Sequence, residues 1–553
     1  MDRGRSSLIA VAAWAWSSRL LAPLVAVAPL LWLARREFSY FDERSLACCD
    51  WAVMEFHAGR ALRLDELLGP YSRYGWNHPG PALFYASAPL YWLSGRRFAG
   101  LSATAVVVNI VCVALIVVVA RRGGGPRAGW TAAAVMIAFC WLFGLNELAN
   151  PWNPLMVILP TTLAAVSLAA AVQGIRWTPA LAVAAGSFAV QSHVASAPIV
   201  AGMGIAAFVL LLTEIKARRW PLTNRHLLTT VGLVVLVMWG LPLYEELRPG
   251  EGNVETLVGY FGSSSGGQAA GDVVRNVGAQ LTLSVRSMGD YINPLAVFPA
   301  FGPARWAVAA VQLVLVGAAV TVGRARGRVF ASSLAIVAAA GAAMALASTF
   351  RAVDELYTYL TTAAIGVGLA LWLSVALFLS DVGDSVLRAA TKRTHEAAVA
   401  RGRTVVRVAG PVGMVLVAVL TVRATPSVPY AQQRDGQGLR RVEEAVRGVL
   451  EVGDEVVFVS FEQEDWQSVA VAVASLDGHV DMVVPSDMEF MFGPNPSAES
   501  VDLCIHMQRS DTDEAAPGRQ KLWYGKPIGT YDVIVEAERG PACDAAYEAD
   551  RAG

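Results

Sequence analysis

GPYSRYGWNHPGPALFYASAPLYWLSG, residues 69–95, interrupts a chain built chiefly from Ala, Val and Leu. Its first thirteen positions hold three aromatics, an Arg, an Asn, a His, three Pro and three Gly. The following fourteen are apolar but too few to cross a bilayer, which takes about 20 helical residues. A surface or re-entrant helix is expected there. What lies on either side decides what kind of protein can hold such a segment.

The 553 residues are 55% hydrophobic and 16% charged, with a mean hydropathy of +0.46. Soluble domains carry about 25% charged residues, so the deficit points to lipid. Candidate spans fall at 12–33, 99–120, 130–146, 154–173, 178–192, 195–213, 227–244, 304–323, 329–349, 357–380 and 405–423, eleven in all. With the N-terminus cytoplasmic, the inner loops are 121–129, 173–177, 214–225, 323–328 and 381–404, and every one carries basic residues. The outer loops, among them 37–97, 146–153 and 245–303, are acidic or mixed. This positive-inside bias sets the topology and places the C-terminal tail outside the cytoplasm.

Net charge is −1, but from Pro426 onward 24 Asp and Glu face 10 Lys and Arg. A membrane body (1–425, with outer loop 34–98) is therefore expected to precede a separate acidic domain (426–553). In that tail RRVEEAVRGVL and DWQSVAVAVASL read as helices, while DEVVFVSF, VDMVV and YDVIVEAE read as strands. The alternation suggests a small α/β domain. The opening MDRGRSSLIAVAAWAW reads as an uncleaved signal-anchor, the apolar sequence running on to Leu33. Cys48 and Cys49 are adjacent, and neighbours rarely bridge without strain. Cys504 and Cys543 are either a disulfide of an external domain or two free thiols.

The outer loops hold the residues capable of chemistry. Asp42, Glu43 and Asp50 come directly after the first span, and from Asp50 to Leu62 the pattern is helical. A carboxylate shielded from water beside a membrane has a raised pKa and is suited to act as a base; the alternative is a solvated acidic loop. Arg73, Tyr74, Trp76, Asn77 and His78 offer rings with a few fixed polar groups, fitting a sugar- or phosphate-binding wall as well as an interfacial belt. Trp152 and Asn153 in NELANPWNP, His193, and Arg351 in TFRAVDELY stand at the same membrane level.

A carboxylate motif in the first outer loop, about eleven spans and an extracytoplasmic C-terminal domain together resemble the GT-C superfamily of integral-membrane glycosyltransferases. Within it, GPYSRYGWNHPGP followed by FYASAPLYWLSG resembles actinobacterial members that use polyprenyl-phosphate sugars. DWAVMEFHAG fits the family's Asp-then-helix pattern, with Asp50 in the Asp position and Trp51 where Glu is often found. FDE at 41–43 supplies the adjacent acidic pair instead.

The resemblance implies a GT-C-like polytopic α-helical membrane protein that moves a sugar from a polyprenyl phosphate to a cell-envelope glycan, lipid or protein acceptor, with inversion. Asp50, or Asp42 and Glu43, would be the base. Arg73, His78 and Arg351 would meet the phosphate, and Tyr74, Trp76, Asn77, Trp152, Asn153 and His193 the remaining substrate. No cofactor is implied with certainty; a carboxylate pair beside a phosphate is able to bind Mg²⁺ or Ca²⁺. No nucleic-acid partner is expected. A transporter or flippase of lipid-linked precursors and a non-enzymatic envelope scaffold are the alternatives, and no internal repeat of the transporter kind is visible.

Overall fold

The computed structural model describes residues 16–218, 225–249, 252–263, 266–283, 302–391, 396–434, 436–496, 498, 500–528 and 531–552. The first part of the signal-anchor and parts of loops 214–225, 245–303 and 381–404 lie outside the described residues. In chain order the helices before the tail are α1 (Leu21–Phe38), α2 (Asp50–Leu62), α3 (Ala82–Leu93), α4 (Phe98–Phe143), α5 (Ile158–Val172), α6 (Thr178–Ser192), α7 (Ser196–Arg218), α8 (Arg225–Glu246), α9 (Asn253–Ser263), α10 (Ala270–Thr282), α11 (Pro303–Ala325), α12 (Val329–Thr349), α13 (Ala363–Thr391) and α14 (Glu396–Ala424). A hairpin of β1 (Tyr71–Ser72) and β2 (Trp76–Asn77) separates α2 from α3.

Among the described residues each expected span overlaps a helix, with 99–120 and 130–146 sharing α4 and 357–380 entering α13 only at Ala363. α4 is two helices meeting at Gly125, whose φ of 78° only glycine adopts without strain, with Pro126 next. The kink falls in the basic RRGGGPRAG turn. Seven elements among the described residues are long and apolar enough to cross a membrane: α4, the stretch Asn153–Val172, and α7, α8, α11, α12 and α13. α6, at 15 residues, is too short by that measure. Loop 245–303, written in the sequence as a plain connection, contains α9 and α10.

The chain divides by internal packing into two units: Met1–Ala34, Ala105–Leu241 and Gly259–Pro426 form one; Arg35–Thr104, Pro242–Val258 and Ser427–Gly553 form the other. In the first unit α12 packs on α7 and α13, and α5 on α6 and α13. The Thr162 hydroxyl donates to the Gly366 carbonyl across the α5–α13 contact (2.9 Å), the kind of interhelical bond that lipid-embedded bundles use in place of a hydrophobic drive.

The second unit joins residues 35–104 and 242–258 to the tail from Ser427 onward. The tail folds as α15 (Gln437–Gly448), β3 (Val456–Phe461), α16 (Trp466–Leu476), β4 (Asp481–Val483), β5 (Leu503–Arg509), β6 (Gln520–Gly525), β7 (Val533–Glu538) and α17 (Pro541–Ala552). The sheet order is β4-β3-β5-β7-β6, with β3 parallel to β4 and β5, and β7 antiparallel to β5 and β6. Alternation along the strands sends Val457, Val459, Leu503, Ile505, Val533 and Val535 to one core, shared with Val442 and Val446 of α15 and Val469 and Val473 of α16. Ala52, Val53 and Phe56 of α2 belong to this same core. That burial fastens the first outer loop to the tail. The other sheet face packs Phe458 and Cys504 against Cys543 and Tyr547 of α17, and Cys504 and Cys543 are joined as a disulfide. Cys48 and Cys49 are also bridged, contrary to the expectation for neighbours.

Candidate functional site

The site is built around the first turn of α2. Asp50 opens this helix, after Cys49 in the left-handed region at φ 64°. The carboxylate is half-buried and accepts a hydrogen bond from the Tyr71 hydroxyl. Burial raises its pKa; the Tyr71 bond acts the other way. Tyr71 stands on β1 with its ring edge-on to Trp466 (5.8 Å between centroids) and Phe490 (6.2 Å). Asp42 and Glu43 lie in the turn after α1, both exposed. Of the three carboxylates nominated from sequence, Asp50 alone is withdrawn from water.

Beyond Asp50 the hairpin sets a row of rings. The exposed Arg73 donates to the Tyr74 hydroxyl (2.8 Å) and its guanidinium lies 4.9 Å from that ring's centre. Tyr74 stacks on Trp76 (6.4 Å), and Trp76 meets the edge of His78 (5.4 Å). Trp76, Asn77 and His78 are buried. These residues are thus brought together, except that the Asn77 side chain is turned to structure: its amide donates to the carbonyls of Gly69 (3.3 Å) and Phe490 (3.0 Å). Its backbone N–H and C=O pair with the side chain of Asn253 at 3.0 and 2.9 Å, as a neighbouring strand would. Gly69 closes the hairpin base, its N–H donating to the His78 carbonyl (3.1 Å).

Deeper in the second unit, two further α2 side chains face tail residues. His57 has a carboxylate oxygen of Glu66 at 2.5 Å from Nδ1 and the Met491 carbonyl at 2.8 Å from Nε2. Glu55 is buried, and its carboxyl is pushed up to about 8, first by burial and then by Glu443. The sequence marks Tyr71 only as a ring suited to the membrane boundary and Glu55 only as one more acid after the first span, and it gives Glu66 no role. The only signal in the sequence was their place in a loop rich in polar groups. A cleft of about 530 Å³ opens at the β4 edge beside Phe56, Arg60, Asp477 and His479; none of the nominated residues lines it.

The remaining nominees belong to the first unit. Trp152 and Asn153 are buried. The Trp152 ring lies 5.3 Å from Tyr359, which stacks on Tyr357. Asn153 donates to the Ser192 carbonyl (3.0 Å), one residue before the buried His193. Arg351 is exposed and donates to the Phe261 carbonyl (3.0 Å). Among the described residues no group of three or more His, Cys, Asp or Glu side chains is placed to hold a metal ion.

The sequence matches no family model and no curated protein. Among solved structures the fold is similar to that of ArnT from Cupriavidus metallidurans bound to undecaprenyl phosphate, with a TM-score of 0.55 and 15% identity over 93% of this chain and 97% of that one. ArnT in the apo state gives a TM-score of 0.53 and 13% identity over the same shares. At such identities the likeness is one of fold, and this chain is a multi-pass membrane protein of ArnT-like fold.

Proposed function

We propose that the protein is a GT-C-type membrane glycosyltransferase of the actinobacterial kind, which takes a sugar from a polyprenyl phosphate and passes it to an envelope glycan, lipid or protein on the outer face. The observation that carries this reading is the near full-length likeness to a structure bound to undecaprenyl phosphate. The desolvated Asp50 supports it, since a general base works best with a pKa drawn toward the working pH. The N-terminus would be cytoplasmic and the C-terminal domain extracytoplasmic, following the basic inner loops.

In this scheme Asp50 takes the proton of the acceptor hydroxyl as that oxygen bonds to the anomeric carbon. The bond from the anomeric carbon to the phosphate oxygen breaks, its electron pair leaves with the polyprenyl phosphate, and the configuration inverts. Charge building on the leaving phosphate needs cationic or hydrogen-bonding partners, for which Arg73 and His78 of the second unit are proposed, with Trp76 beside them assigned to the sugar. The Asn77 side chain is already bonded within the fold and is assigned to holding the hairpin. Because no group of three or more His, Cys, Asp or Glu among the described residues is placed to hold Mg²⁺ or Ca²⁺, no step is assigned to either, and transfer with and without a chelator decides whether one is used.

The test is purified protein in lipid, supplied with a panel of radiolabelled polyprenyl-phosphate sugars. One donor should yield labelled acceptor, and folded Asp50→Asn should lose that transfer. Asp50→Asn transferring like the wild type would remove Asp50 as base. Movement of intact lipid-linked sugar across the bilayer without transfer would favour the flippase reading.

A further inference from the structure

The contacts of one tyrosine join the candidate base to the C-terminal domain. Tyr71 donates to one Asp50 carboxylate oxygen, and its own ring is held between Trp466 at the start of α16 and Phe490 in the tail. The backbone carrying it is pinned as well: Gly69 N–H donates to the His78 carbonyl, and His78 N–H to the Pro70 carbonyl (2.8 Å). We infer that Tyr71 is a positioning residue for the Asp50 carboxylate, and that the C-terminal domain serves the transfer reaction by holding Tyr71 in place through Trp466 and Phe490. This rests on the reading of Asp50 as the base.

The chemistry follows from what one hydroxyl does to a carboxylate partly withdrawn from water. Hydrogen bonds to a charged acceptor are short and about twice as strong as neutral ones. Tyr71 therefore fixes the rotation of the carboxylate by occupying one of its oxygens. It also stabilises the ionised form that burial disfavours. A base that stayed protonated at neutral pH could take no proton. An aromatic clamp makes the donor's direction dependent on the tail, and this gives the sheet domain a part in catalysis without contact with the reacting atoms.

The test reads Asp50 directly. A water-soluble carbodiimide modifies protonated carboxyls, so labelling of Asp50 in the full-length protein in lipid, followed by mass spectrometry across pH, yields a midpoint. Tyr71→Phe keeps the ring and should move that midpoint up by about one pH unit, the order expected for a lost bond to a charged group. Trp466→Leu and Phe490→Leu should move it the same way. Difluorotyrosine at position 71, a stronger donor, should move it down. In the transfer assay Tyr71→Phe should shift the acid limb upward and lower kcat with little change in KM. An unmoved labelling midpoint in Tyr71→Phe overturns the pairing whatever the transfer assay gives. A shift in Tyr71→Phe with none in either tail variant overturns the part assigned to the domain. Should the midpoints move as stated while Asp50→Asn still transfers sugar, the failure belongs to the functional reading and not to the pairing.

Discussion

Raising the pH from 5 to 9 should loosen α2 from the C-terminal domain, and Glu55→Gln should remove Glu55's part of that response. Glu55 is 7% exposed. The groups that act on it come from each element packed around it: Glu443 and Arg447 of α15, Asp477 at the end of α16, and Tyr91 of α3. Burial is the largest influence, Glu443 and Asp477 add repulsion, and Tyr91 and Arg447 oppose them, leaving the carboxyl at about 8 against an ordinary 4.5. Tyr91 itself is held well above its ordinary 10 and stays protonated over the whole range.

Between 4.5 and 8 the docked state therefore holds a proton that the opened state gives up. Stability falls wherever the native state binds more protons than the opened one. The contribution is complete below about 4.5, declines through the interval and is gone above about 8. That gap in proton affinity corresponds to about 5 kcal/mol at 1.36 kcal/mol per tenfold, an upper figure because relaxation and water entry relieve buried charge. A loss of about 2–3 kcal/mol is expected, or a rise in local opening of about 30- to 160-fold. Because a multidomain membrane protein has no single unfolding free energy, the assay is hydrogen exchange of residues 50–62 and 437–448, corrected for intrinsic rates. Asp50 is raised by burial too and has the same sign, so Glu55→Gln should keep only that remainder. Equal protection at pH 5 and 9 in the wild type, or a full response in Glu55→Gln, would refute the reasoning.

Other perturbations probe the same unit. Replacing Cys504 and Cys543 by Ser opens a bridge across 39 residues; loop-closure entropy predicts a loss of about 4 kcal/mol, read as faster exchange in β5 and α17. Gly69→Ala would put a methyl carbon 2.4 Å from the His78 carbonyl oxygen and 2.8 Å from that of Gly80. The hairpin should open, measured as proteolytic cleavage between residues 69 and 81. Asn253→Ala strips the buried N–H and C=O of Asn77 of their side-chain partner. A loss of about 2–4 kcal/mol is expected for two such groups, seen as reduced protection at Asn77 and His78.

Local pattern carried the fold as far as local pattern reaches. The apolar spacing after Asp50 marked a helix over 50–62, and α2 runs from Asp50 to Leu62. The apolar run after Pro81 became α3, and the tail's two amphipathic stretches became α15 and α16. β5 and β6 were missed for different reasons. LCIHMQR breaks its alternation with His506 and Gln508, and it becomes a central strand only because β3 and β7 pair with it on both sides. KLWYG lies at the sheet edge beyond β7, with little burial to mark it. The α9 helix was hidden in a long loop whose beginning packs with the tail.

The candidate site divides along the same physical line. Composition identified where polar groups sit among rings, but three carboxylates of similar promise stood within nine residues of one another. What separates them is burial, and burial comes from partners remote in the chain. Phe56 enters a core built by residues after 439, which draws the start of α2 against α16, where the Cys49 N–H meets the Gln467 carbonyl (3.4 Å). Asp50 is thereby desolvated while Asp42 and Glu43, on the turn before, remain in water. The Tyr71 hydroxyl reads in the sequence as one more interfacial ring, because no spacing rule connects position 50 to 71 or either to 466 and 490. A docking contact spanning more than four hundred residues of chain therefore selects which carboxylate leaves water, and it predicts that shortening the C-terminal domain should disturb Asp50 even with every residue of the first outer loop unchanged.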